Sequence, residues 1–183
     1  MYTNSVVKQI QQDIVDWAIT WVEQPNEFYN NKFPVCPYAQ QARLAGQTSI
    51  QVYAGGPVRQ FVLEQLKLLA TTHSHQQLLL VLPPRCRFLP GITAWIRDQN
   101  SWLIAEDLFA MPGRAVTTGS RYPGWFNSGA YFIVGVNTLS QVLPAVDKLR
   151  AAGYYQDWSE EHYRDIVVRR QQLYDRYQDS HAG

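Results

Sequence analysis

The sequence predicts an α/β protein: a small mixed sheet with a strand–helix–strand core and helices at both ends of the chain. Three observations carry this. Leu78-Leu79-Leu80-Val81-Leu82 is an unbroken apolar run of strand length, as expected of a strand buried on both faces. Thr48 to Ala54 alternates apolar and polar residues, and a helical pattern (Val58, Phe61, Val62, Leu66, Leu69) separates it from that run. A strand, a crossover helix and a second strand make a parallel βαβ unit. Val6, Ile10, Ile14, Trp17 and Trp21 then share one helical face near the start, as do Tyr163, Ile166, Val167, Tyr174 and Tyr177 near the end. An α+β arrangement is the alternative. The expected layering is a two-layer sandwich of the ferredoxin-like kind, in one domain covering residues 1–183.

The elements follow in order. Pro25 ends the first helix. Residues 26–35 (NEFYNNKFPV) read as a loop. Cys36-Pro37 reads as a helix start, with proline at the first helical position where its missing N–H costs nothing, and Gly46 as the stop of that short helix. Gly55-Gly56-Pro57 turns the chain into the crossover helix, and Pro83-Pro84 ends the apolar strand. Residues 88–100 predict a short helix using Ile92, Trp95 and Ile96, and residues 102–109 a third strand. Residues 110–128 hold three glycines and two prolines among 19 residues, and read as a long loop. Tyr131 to Val136 is another buried strand. Thr138 with Gln141 forms a capping-box pattern before a helix carrying Val142, Val146 and Leu149, and Gly153 ends it. Ser159 caps the last helix.

Composition narrows the function classes. The 183 residues are 46% apolar, which excludes a disordered chain. Lys and Arg number 16 against 15 Asp and Glu, a net charge of +1, so nucleic acid is an unfavoured partner. No apolar run approaches the ~20 residues of a membrane span, and the N-terminus has no apolar signal core, which together predict a cytoplasmic protein. Two cysteines, Cys36 and Cys86, leave two states open, a single bridge or two thiols; a reducing compartment favours thiols. The 6 Trp, 11 Tyr and 7 Phe exceed what a core of this size needs, so part of them is expected to line a pocket or interface.

Cys36 is the sharpest candidate site. At a helix N-terminus a thiol meets unpaired backbone N–H groups and the positive end of the helix dipole, which lower its pKa and make it nucleophilic. A buried, inert capping role is the alternative. The long loop supplies a candidate substrate-binding set: Arg114 and Arg121 as anion anchors, Tyr122 and Trp125 as stacking surfaces. Arg85 and Arg87 join it from just beyond the carboxyl end of the apolar strand, where open α/β sheets place ligands. His73 and His75 read as a solvated turn, because a metal site needs a third ligand that their spacing does not supply. His162 is expected at the surface, with burial against neighbouring Tyr and Trp as the alternative. Glu106-Asp107 and Glu160-Glu161 form no catalytic dyad. No cofactor motif is present, so the cofactor stays unknown.

The segment Cys36-Pro37-Tyr38 followed by a helix resembles the active-site segment of glutaredoxins. Residues 36–44, CPYAQQARL, are similar to the matching stretch of omega-class glutathione transferases. This resemblance implies a glutathione-reactive Cys36, with Ala39 standing where dithiol relatives keep a second cysteine. The flanks differ: a loop-like stretch precedes Cys36, and Pro83-Pro84 follows a strand instead of preceding one. A broader resemblance, across residues 17–150, is to an uncharacterised bacterial family with a Cys-Pro-Phe-Ala segment. The matching pieces are Cys36 to Ala39, Gly46-Gln47 with the strand to Val52, Leu78 to Pro83, and Tyr131 onward. It implies the α/β fold and no particular reaction. The expectation is a small enzyme acting on an anionic or aromatic small molecule through Cys36; the alternative is a non-catalytic module that binds a partner or a ligand.

Overall fold

A computed structural model of the chain describes residues 2–113 and 131–181. Its centre is one four-stranded sheet in the order β1-β2-β4-β3, with β1 Thr48–Val52, β2 Gln77–Leu82, β3 Leu108–Pro112 and β4 Phe132–Thr138. β1 and β2 pair in parallel, Ile50 opposite Leu79, and the crossover helix α3 (Val58–Thr72) joins them as predicted. β4 pairs antiparallel with both β2 and β3, so the sheet is mixed.

The layering differs from the expected two-layer, ferredoxin-like sandwich, because helices cover both faces of the sheet. Leu78, Leu80 and Leu82 point to one face. There they meet Val62 and Leu66 of α3, Ile92 and Ile96 of α4 (Ile92–Asp98), and Leu103 of α5 (Asn100–Leu103). Leu79 and Val81 point to the other, against Ile10 and Ile14 of α1 (Asn4–Trp17) and Ile166, Leu173 and Tyr174 from the C-terminal helical region. With all six residues of β2 buried, neither face can be left to water. At ~1.5–3 kcal/mol per fully buried large aliphatic side chain, covering both faces is the larger gain.

Several local elements shift from their expected places. α1 starts at Asn4, where the Thr3 hydroxyl accepts the Val6 N–H, and widens into a π segment over Ala18–Val22 before Pro25. The helix expected to begin at Cys36-Pro37 begins later: α2 spans Ala39–Leu44, after a turn at Pro37 and Tyr38. It ends as predicted at Gly46, whose φ of +66° suits glycine, and the Gln47 N–H closes on the Ala42 carbonyl at 2.8 Å. The strand expected at 102–109 lies at 108–112 instead. Residues 102–106 are helical, burying Leu103 on one face of the sheet and Ile104 on the other. A short apolar run satisfies either period, and tertiary contacts decided this one.

Asn100 shows why. It is 1% exposed, its amide donates to the Ala110 carbonyl at 3.0 Å, and its oxygen accepts the Ala110 N–H at 2.7 Å. The side chain thus stands in for a neighbouring strand at the open edge of β3, which needs a helix, not a strand, at residue 100. At the opposite edge Gln11 of α1 donates to the Ile50 carbonyl.

The capping box expected at Thr138 is also replaced. The Thr138 hydroxyl donates to the Gln76 carbonyl at 3.1 Å. Asp107, in a left-handed conformation at φ +59°, caps α6 (Leu139–Val142) instead: its carbonyl accepts the Leu139 N–H and its carboxylate the Ser140 N–H. A one-turn 3-10 segment at Leu143–Ala145 carries Pro144 and leads into α7 (Val146–Ala151). α8 (Glu160–Tyr163) is capped by Ser159 as predicted, then passes through a π segment over Arg164–Val168 into α9 (Arg169–His181). No helix among the described residues is long and apolar enough to cross a membrane.

Candidate functional site

Three cavities among the described residues gather at one end of the sheet, where β1 and β2 begin and β4 ends. The loop 26–35 and α7 bring this end together. A short 3-10 turn, Glu27–Tyr29, places Tyr29 in a buried chain of hydroxyl and indole groups. The Trp158 indole donates to the Tyr29 hydroxyl at 3.1 Å, Tyr29 donates to Tyr154 at 3.4 Å, and Tyr154 donates to the Val35 carbonyl at 2.7 Å. The rings of Tyr29 and Tyr154 stack at 4.7 Å between centroids. This cluster clamps the chain immediately before Cys36, whose own N–H donates to the Val22 carbonyl at 3.1 Å. No strand precedes Cys36 among the described residues.

Cys36 is 3% exposed and faces two cavities. The expected low thiol pKa is reversed: burial pushes it up to about 11, outweighing the backbone N–H groups of Tyr38 and Ala39 that pull it down, with Glu23 adding to the rise. Desolvation of a whole thiolate exceeds what two amides at a six-residue helix return. Cys86 is a second buried thiol, also raised by burial, and the two form no bridge.

One cavity of about 70 Å³ lies between α1 and β1 and includes Glu23, Arg43, Thr48 and Gln77. Glu23 is a buried acid, its side chain 1% exposed, held by a two-pronged contact from Arg43 at 2.7 and 2.8 Å. A larger pocket of about 200 Å³ opens beside it, lined by Tyr38, Gln41, Gln76, Gln77, Asn137 and Gln141 among others. Its floor is a polar relay: the Thr48 hydroxyl donates to the Gln77 oxygen at 3.2 Å, and the Gln77 amide donates to the Asn137 oxygen at 3.3 Å. Asn137 keeps its own amide nitrogen as a donor.

Tyr38, Asn137 and Val142 are shared with a third, smaller cavity of about 20 Å³, lined also by Cys36, Tyr155 and Arg170. Arg170 is 6% exposed. Its guanidinium donates to the Tyr155 hydroxyl, and its Nε has no acceptor. Burial lowers its pKa, with Tyr155 and Tyr38 the groups that act against this. Burial likewise raises the pKa of Tyr38 and of Tyr155, so both hydroxyls are neutral at pH 7.

Of the substrate-binding set read from the sequence, Arg85 and Arg87 fall among the described residues. Arg85 is exposed on the 3-10 turn Pro84–Phe88, which also holds Arg87, beyond the carboxyl end of β2. The pockets described lie at the other end of that strand, about 20 Å away over six residues. Arg114, Arg121, Tyr122 and Trp125 lie outside the described residues. His75 bonds the Ser74 hydroxyl at 2.8 Å, and among the described residues no three His, Cys, Asp or Glu groups converge as metal ligands. His162 is buried, not at the surface, its ring 4.3 Å from that of Trp158.

Sequence reasoning missed Arg170, Tyr155, Gln77 and Asn137. A signal existed for the first: Arg170 falls four residues after Ile166 and three before Leu173, a charge set in an apolar stripe. Comparison of the chain with protein-family models, curated proteins and solved structures finds no match.

Proposed function

We propose that the protein is a non-catalytic module that binds a small, uncharged, polar molecule in the 200 Å³ pocket at the head of β1 and β2. The supporting observation is the chemistry of the wall. Four glutamines, Asn137, Thr138 and Tyr38 line it, and among the described residues no charged one does. Amides both donate and accept, so this wall suits a ligand that does the same and penalises an ion. The buried Gln77–Asn137 relay holds the floor in one arrangement, which keeps the ordering cost of binding low. The volume takes several waters, or a compound with a comparable number of heavy atoms.

Cys36 fits this reading as a wall residue: its thiol stays protonated at neutral pH and is a poor nucleophile. The test is a thermal-shift and ligand-observed NMR screen of the intact protein with uncharged amides, nucleobases and sugars, repeated with Gln141→Trp. Gln141 is exposed at the pocket wall, so an indole there fills the opening without entering the core. At least one class is expected to bind, and the substitution to weaken it tenfold or more with the melting temperature unchanged. No binding by any class, or binding indifferent to Gln141→Trp, overturns the proposal.

A further inference from the structure

We propose that the small cavity beside Arg170 is a binding site for a single halide-sized anion, with chloride its physiological occupant. The argument starts from charge. Arginine cannot shed its proton within a protein, so a guanidinium that is 6% exposed stays a buried cation and needs a counter-charge. The groups acting on Arg170 from the elements around it are Tyr155 and Tyr38; no carboxylate does so among the described residues. Both tyrosines and the facing Cys36 thiol are neutral at pH 7, because burial raises all three. Glu23, the buried acid among the described residues, is already taken by Arg43. Residues 114–130 contain no Asp or Glu. The counter-charge therefore comes from outside the chain.

Geometry selects its size. The cavity is about 20 Å³, room for about one water-sized particle. Chloride is only a little larger than water, whereas carboxylate, phosphate and sulfate need several times that space. The wall offers a spherical anion the Arg170 guanidinium, the Asn137 amide nitrogen and the Cys36 thiol, and the buried Arg170 Nε has no acceptor of its own. A water would complete hydrogen bonds but leave the charge uncompensated. The site is distinct from the outer pocket, with which it shares Tyr38, Asn137 and Val142, and it stands whether or not that pocket takes an organic ligand.

The test is thermal unfolding of the native protein at constant ionic strength, exchanging potassium gluconate for potassium chloride, bromide or sulfate, with no other ligand added. Chloride and bromide are expected to raise the melting temperature saturably by about 3 °C or more, and sulfate not to. Arg170→Gln is expected to abolish the halide-specific rise. Crystals of the native protein grown in bromide provide a second readout that needs no substitution, an anomalous peak in contact with the Arg170 guanidinium. A melting temperature indifferent to halide, an equal response in Arg170→Gln, or a bromide crystal without that peak overturns the proposal. A site that responds to halide while the organic screen fails leaves this inference standing and the outer-pocket reading refuted.

Discussion

Two charged side chains approach Cys36 from opposite sides, and the protein treats them differently. On the α1 side, Glu23 is buried but matched by the fork of Arg43, whose side chain is 27% exposed. On the α9 side, Arg170 is buried with a tyrosine hydroxyl as its hydrogen-bond partner and, among the described residues, no acid. The first arrangement is complete: both carboxylate oxygens accept from one guanidinium, and the rest of that guanidinium reaches water. The second is incomplete, and its spare donor lies beside a cavity. A satisfied buried ion pair serves the fold; a buried charge left short of a partner indicates what the fold waits for.

The contrast can be broken in three ways. The largest effect belongs to Arg43→Met, which leaves the Glu23 carboxylate buried and alone. It is expected to cost about 3–5 kcal/mol in urea unfolding, whereas Glu23→Gln is expected to cost only about 1 kcal/mol, since Arg43 can turn to water. Equal losses for the two would show that the pair is not asymmetric in burial.

A middling effect belongs to Cys36. Its pKa is raised from 9.0 to about 11 on folding, so the folded state holds the proton more tightly. Its stabilising contribution is full below pH 9 and fades as the pH climbs toward 11, by about 2–3 kcal/mol in all. Cys36→Ala is expected to unfold with a shallower decline over that window, leaving the share due to Tyr38 and Tyr155. Iodoacetamide labelling at pH 8 should be slow in the native protein and fast in urea. Rapid native labelling of Cys36 would return the nucleophile reading to the front.

The smallest effect is expected from Arg170→Met in halide-free buffer. Removing a charge that has no acid partner is expected to leave stability within about 1 kcal/mol of the original, or to raise it. A loss as large as that of Arg43→Met would mean the guanidinium is already compensated without an anion.

The fold was legible where the chain's own pattern was long or two-sided. The Leu78–Leu82 run, the alternation at Thr48–Val52 and the stripe of Val58, Val62, Leu66 and Leu69 gave the parallel βαβ unit. Gly46 and Ser159 gave a helix end and a helix start. The third strand was misplaced because the apolar Trp102–Ile104 stretch suits either period, and the Asn100–Ala110 contact settled it ten residues along the chain. Arg85 and Arg87 lie at the other end of β2 from the three cavities described, and their spacing reports only a turn, not what surrounds it.

What the sequence determined by itself is local: periodicity, turn residues and the total of buried apolar groups, which compel a sheet with helices against it. What only the tertiary structure decided is partnership. Both faces of the sheet are covered because β2 and β4 sit side by side at its centre, an order no local pattern encodes. Cys36 is buried and its thiol pushed up because Val22, Trp17, Trp21 and Tyr38 pack around it, and desolvation depends on what surrounds a group rather than on its neighbours in sequence. Arg170, one of 16 basic residues in the chain, becomes a buried cation beside a cavity only when α9 lies against the sheet.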